Sequence, residues 1–205
     1  MIEELHNCFI RLQNKNLLTF ISNNKADNEY FKLGNPTINT QIIPSLCLYT
    51  NMRWKPENTK NKILLYSETL QINNHMIINR TQLGRYNYDT LMLFKGIIQF
   101  PYEASTMSIF EQISSEIPLF FPSKKYLKHL WENNIIKNQM NYWIHNKTGI
   151  IPNYLKETQN YDFWIEKADY YDIDGVYYFD SFEHLYQMLE HFKDELYEVR
   201  KEFIR

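Results

Sequence analysis

Residues 96–121 read GIIQFPYEASTMSIFEQISSEIPLFF: an apolar run, a polar turn, a helical stretch and a second apolar run. This order admits few folds. Gly96 to Phe100 and Ile117 to Phe121 have the length and continuous apolarity of strands buried on both faces. The stretch between them spaces its apolar residues for one side of a helix, and strands joined through a helix run parallel. The pattern recurs along the chain. Lys62 to Ser67 (KILLYS), His75 to Ile78 and Val176 to Phe179 read as further strands, with shorter ones at Leu17 to Ile21 and Gln41 to Ile43. Helices are expected over 2–12, Asn23 to Lys32, Tyr88 to Lys95, Ser123 to about Asn133, Tyr161 to Ala168, Asp180 to Phe192 with Asp180 as its cap, and Asp194 to Arg205. Leu46 to Asn61 lacks periodicity and reads as a linker or long loop. Strands alternating with helices predict an α/β, Rossmann-like fold, a mostly parallel sheet with helices on both faces.

Bulk properties narrow the classes of function. A chain of 205 residues, 44% hydrophobic and 22% charged, has room for one good core and part of another. A net charge of −2 gives no general attraction to nucleic acid. No apolar stretch nears the roughly 20 residues of a membrane span. The opening MIEELHNCFIRLQ has early acids and no continuous apolar core, unlike a secretory leader. Cys8 and Cys47 fit neither a metal motif nor a disulfide framework, so reduced thiols and a cytoplasmic location are expected.

Open parallel sheets bind ligands at the carboxyl ends of their strands, which directs attention to Pro101-Tyr102-Glu103 and the hydroxyl run after it. A helix starting near Ser105 points its first N–H groups toward such a crevice, and Ser105, Thr106 and Ser108 add donors suited to phosphate. Glu111, about two turns on, suits hydroxyl recognition, with ribose as the obvious candidate. The same spacing accommodates a plainer reading: Ser105 as an N-cap and Glu111 on a solvated face.

Glu103-Ala104-Ser105-Thr106-Met107-Ser108-Ile109-Phe110-Glu111 resembles the E-x7-E element of retaining GT-B glycosyltransferases. In that superfamily the element follows a strand of the C-terminal, donor-binding domain. It precedes a βα unit with an apolar, Pro-containing strand, as Ser114 to Leu119 does here. Ile42 to Ser45 resembles the end of the interdomain crossover, Ile63 to Tyr66 the first strand of the donor domain, and residues 17–43 the last βαβ of an N-terminal domain. Asp180 to Glu190 is similar to the late helix. The resemblance implies that Glu111 binds the ribose of a nucleotide sugar, that Glu103 contacts the transferred sugar as the catalytic carboxylate, and that Ala104 to Ser108, Met107 included, face the diphosphate. It implies metal-independent, retaining transfer to a glycan, lipid or protein acceptor, with no cofactor, no nucleic-acid partner and no transmembrane segment. The alternative is a non-catalytic nucleotide-sugar or partner-binding module, a half-enzyme completed by an N-terminal-domain partner chain.

This chain departs from the family pattern at three points. Ala104 stands where glycine is usual. Ser67 and Glu68 occupy the place of a basic pair that neutralises the donor diphosphate, leaving Arg85 or Lys95 to substitute. Only residues 1–45 remain as a remnant of an N-terminal domain, ahead of a donor-binding domain over 46–192 and a terminal helix over 193–205. Asp172-Ile173-Asp174 is formally a D-x-D and, with Gly175, echoes a calcium loop. Its context predicts a solvated loop, and no metal site is expected. Tyr142-Trp143, Asp162-Phe163-Trp164 and Tyr170-Tyr171 supply aromatic faces for either core packing or stacking on a sugar or base.

Overall fold

The computed structural model describes residues 2–44, 47–140 and 160–192. The first half of the chain runs α1 (Ile2–Asn14), β1 (Phe20–Ser22), α2 (Lys25–Gly34), β2 (Thr40–Ile42), β3 (Ile63–Tyr66), β4 (Ile77–Asn79), α3 (Tyr88–Leu91) and β5 (Ile97–Gln99). It continues with α4 (Met107–Ser114), β6 (Leu119–Pro122), α5 (Lys124–Glu132), α6 (Tyr161–Ile165), β7 (Tyr177–Phe179) and α7 (Phe182–His191). Two compact units divide these elements: Met1–Ser45 with Gln139–Asp169, and Leu46–Asn138 with Tyr170–Arg205. The expected terminal helix over 193–205 and the pair Tyr142-Trp143 lie outside the described residues.

The first unit is built on a βαβ turn. β1 and β2 pair in parallel, Phe20 with Thr40 through Ser22 with Ile42, and α2 makes the crossover. Asn24 starts α2 because its side chain accepts from the Asp27 N–H at 2.7 Å. Asp169 accepts from the Lys25 N–H at 2.9 Å, placing a carboxylate at the positive end of the helix. Phe20, half-buried, joins an aromatic cluster, with ring centroids 5.2 Å from Phe9 and 5.5 Å from Phe31. Trp164 is fully buried beside Tyr30, so this part of the Asp162-Phe163-Trp164 segment serves packing.

The second unit is a five-stranded, all-parallel sheet of order β4-β3-β5-β6-β7, flanked by helices and Rossmann-like. Its central strands are apolar on both faces, as helix-covered parallel strands must be: Leu64, Leu65, Ile97, Ile98, Leu119, Phe120 and Phe121 are all fully buried. β5 and β6 pack too closely for a side chain at Gly96. A Cβ there would lie 2.9 Å from the Pro118 carbonyl oxygen and 3.0 Å from the Phe120 ring. α5 begins where Ser123 accepts from the Tyr126 N–H, and α7 where Ser181 accepts from the His184 N–H. Tyr170 is buried and stacked on Phe121 at 5.4 Å, so it too is a core residue.

Several expected boundaries move, each for a local reason. α3 is a single turn, because residues 93–95 leave the helix to pair with residues 60–62: Lys60 N–H donates to Leu93, and Lys95 N–H to Lys62. α4 begins at Met107 with Thr106 as its N-cap, two residues later than Ser105. The cap of α7 is Ser181, one residue past Asp180, whose carboxylate instead faces His184 Nδ1 at 3.8 Å. The supposed linker is fastened to the core. Trp54 is 1% exposed, its indole donates to the Phe94 carbonyl at 2.7 Å, and its N–H donates to the Ser115 carbonyl at 2.8 Å. Two 3-10 turns, Leu48–Thr50 and Pro56–Asn58, stand on either side of it. A lone tryptophan in a polar run has no periodicity, which is why pattern reading passes over it.

Candidate functional site

In the second unit the chain steps outward from β3 to edge strand β4, then returns to the other side of β3 as β5. The sheet therefore changes direction between β3 and β5, and the crevice beyond their carboxyl ends is the favoured ligand position of such sheets. A cleft of about 430 Å³ opens beside the end of β3, with Tyr66, Arg80, Arg85, Tyr86, Asn87 and Tyr88 among its walls.

Arg80 is the first residue past β4. The Asn79 side chain fixes the turn that presents it, accepting from the Ile72 N–H at 2.9 Å and donating to the Ile72 carbonyl at 3.1 Å. Gln82 closes a capping box on the Asn79 N–H. The Arg80 guanidinium carbon lies 4.4 Å from the Tyr66 ring centroid and 5.7 Å from that of Tyr86, a cation held against two π faces. One of its nitrogens is 3.5 Å from Glu68, which also faces Lys137 at 3.6 Å. Burial pushes the Tyr66 phenol far above its ordinary value, and the hydrogen bond from Tyr86 adds to the rise, while Arg80 opposes it. Gly84 takes φ +64°, letting the chain turn tightly before Arg85.

Glu111 reaches the same region from α4. Its carboxylate accepts a hydrogen bond from the Tyr49 hydroxyl, and interaction with Glu111 is the largest cause of the raised pKa of both the Tyr49 and Tyr88 phenols. The Glu111 charge also contributes, as the smallest cause, to the rise at Tyr66.

The β5–α4 turn is held from below. Trp131 donates its indole N–H to the Pro101 carbonyl at 2.9 Å, and the Tyr170 hydroxyl donates to the Glu103 carbonyl at 3.2 Å. On this turn Glu103, Ser105 and Ser108 are half-buried, Ala104 is buried, and Met107 is exposed. Thr106 is 5% exposed, and among the described residues its hydroxyl has no hydrogen-bond partner.

Of the residues singled out in the sequence, Arg85 lines the cleft, whereas Glu111 and residues 103–108 are not among its walls. Arg80, Tyr66, Tyr86, Tyr88 and Tyr49 escaped the sequence reading. The strand expected at His75 to Ile78 ends at Asn79, and this shift puts Arg80 immediately beyond its carboxyl end. Lys95 falls at the amino end of β5, lining a separate 290 Å³ hollow with Lys62 and His75. Asp172 and Asp174 are exposed before β7, at the amino edge of the parallel sheet and away from the cleft. Among the described residues, no three His, Cys, Asp or Glu side chains gather as a metal-holding group, and no helix is long and apolar enough to cross a membrane.

No protein-family model, curated protein or solved structure matches the chain.

Proposed function

We propose that the second unit binds a nucleotide sugar at the β3–β5 switch point and transfers the sugar to a glycan, lipid or protein acceptor, with retention and without a metal. The observation that supports the reading is a cleft with two arginines, Arg80 and Arg85, in its walls at that switch point, with Glu111 acting on the phenol of a third wall residue, Tyr88. Glu111, already accepting from the Tyr49 hydroxyl and acting on the Tyr88 phenol, is suited to a ribose diol. Arg80 and Arg85 supply fixed positive charge for a diphosphate and for the negative charge that develops on the leaving group. Arg80 thereby fills the role left open by Ser67 and Glu68. The N-terminus of α4, with Ser105, Thr106 and Ser108, adds donors for a phosphate oxygen. Glu103, on the turn before α4, is assigned to the transferred sugar.

One observation favours a second reading, a nucleotide-sugar-binding module without transfer. Glu68 pairs with Arg80 and offsets part of the charge that transfer requires.

Thermal-shift titration with UDP-, GDP- and ADP-sugars tests both readings, because a ligand that binds only the folded state raises its apparent stability. Binding accompanied by donor hydrolysis or sugar transfer supports the first, and binding alone the second. A flat response across the panel rejects both. Glu111→Ala should weaken binding more than Glu116→Ala, since Glu116 lies past the far end of α4 in a bidentate pair with Arg53 at 3.1 and 3.2 Å.

A further inference from the structure

The Glu111 carboxylate is covered by a segment of its own unit. Residues 47–51 form a single 3-10 turn whose tip, Leu48 and Tyr49, is 68% exposed at both positions, yet the Tyr49 hydroxyl is bonded to Glu111. The turn is bracketed by Cys47 at φ +46° and Asn51 at φ +48°, two non-glycine residues in the left-handed region. Such conformations persist where surrounding contacts enforce them. The exposed tip of this short 3-10 turn buries little apolar surface, which leaves the Tyr49–Glu111 bond among the contacts that hold the turn down. Beyond it the chain is fixed again by buried Trp54 and by the Arg53–Glu116 pair. The Cys47 thiol is buried beneath it, near enough to the Tyr49 and Tyr88 phenols to contribute to the rise in both pKa values.

We propose that residues 47–51 are a latch closed over Glu111 by the Tyr49 hydroxyl, and that a diol-bearing ligand opens it by taking Tyr49's place on the carboxylate. Tyr88, on α3, stays beside Glu111 in both states. The proposal rests on the assignment of Glu111 to a ribose diol.

Cys47 is the reporter. In a Cys8→Ser background, alkylation of Cys47 follows the population in which the turn is lifted. Tyr49→Phe removes the hydroxyl and keeps the exposed ring, so it should raise the alkylation rate about fivefold, the effect of losing one modest hydrogen bond. Glu111→Gln, which weakens the acceptor, should raise it as well. Tyr49→Phe should also bind at least one of UDP, GDP and ADP more tightly than the parent. Alkylation of Tyr49→Phe at the parent rate overturns the latch. Weaker diphosphate binding by Tyr49→Phe also overturns it, because Tyr49 is then a ligand contact. Faster alkylation with no diphosphate bound by either protein supports a latch held by Tyr49 and instead rejects the diol assignment of Glu111.

Discussion

At the scale of single residues, the cleft concentrates its chemistry in Arg80. Its guanidinium sits over the Tyr66 ring while one of its nitrogens faces Glu68, an arrangement that a lysine ammonium does not reproduce. Arg80→Ala should weaken nucleotide-diphosphate binding about tenfold, the scale of ~1.5 kcal/mol for a charge-assisted hydrogen bond, and Arg80→Lys should recover little of it. Calorimetric titration of the three proteins checks this, and full recovery by lysine would show that the shape of the guanidinium is irrelevant. A second residue-scale expectation concerns the support of the turn. Trp131→Phe leaves the buried Pro101 carbonyl without its donor and should cost about 1–3 kcal/mol in urea unfolding. A change within a few tenths of a kcal/mol would argue against that bond as the anchor of the β5–α4 turn.

Elements account for most of what the sequence made legible. KILLYS, GIIQF and IPLFF announced the three central strands, because strands covered by helices on both sides need continuous apolar side chains and little else does. The cap at Ser123 was visible for an equally local reason, a short hydroxyl side chain just before an amphipathic run. The site was only half visible. Glu111 and Arg85 stood out by residue type and spacing, but Arg80 depends on where β4 ends, and the strand end is set by pairing of Leu65 with Asn79 across the sheet. Tyr49 and Trp54 depend on contacts 62 and 40 residues away in the chain, which no local pattern carries. The β5–β6 seam gives an expectation at this scale. Gly96→Ala forces a methyl group against backbone and ring atoms that have little freedom to yield, so it should destabilise the protein by about 1–3 kcal/mol. Gly84→Ala, at φ +64° with open space around it, should cost about 1–2 kcal/mol through backbone strain alone. Urea midpoints of the two variants test the contrast. An unchanged midpoint for Gly96→Ala would mean that β5 and β6 are not packed as described.

At the scale of the whole molecule, the abundance of tyrosine sets the alkaline limit. Burial, then the nearby Asp172 and Asp174 charges, push Tyr178 up to about 12, and burial drives Tyr170 and Tyr171 well above the ordinary value. These phenols keep their protons in the folded state and lose them near pH 10 in the unfolded chain. The folded state therefore binds more protons than the unfolded one above that pH. Their contribution to stability is complete below about pH 10 and is lost as the pH climbs through the folded-state values. Thermal midpoints should fall progressively above about pH 10, with a late class of phenolate absorbance appearing together with unfolding. Ionisation of every tyrosine near pH 10 with no loss of structure would contradict the burial of these rings.

The central claim is that a nucleotide sugar occupies the β3–β5 cleft through Glu111. Its most direct test is calorimetric titration of UDP-, GDP- and ADP-sugars into the parent protein and Glu111→Ala, with Glu116→Ala as the matched control. Saturable binding by the parent is expected, weakened about tenfold or more in Glu111→Ala, the scale of ~1.5–3 kcal/mol for hydrogen bonds to a charged group, and nearly unchanged in Glu116→Ala. Equal affinities in all three proteins, or no binding of any donor by the parent, would contradict it.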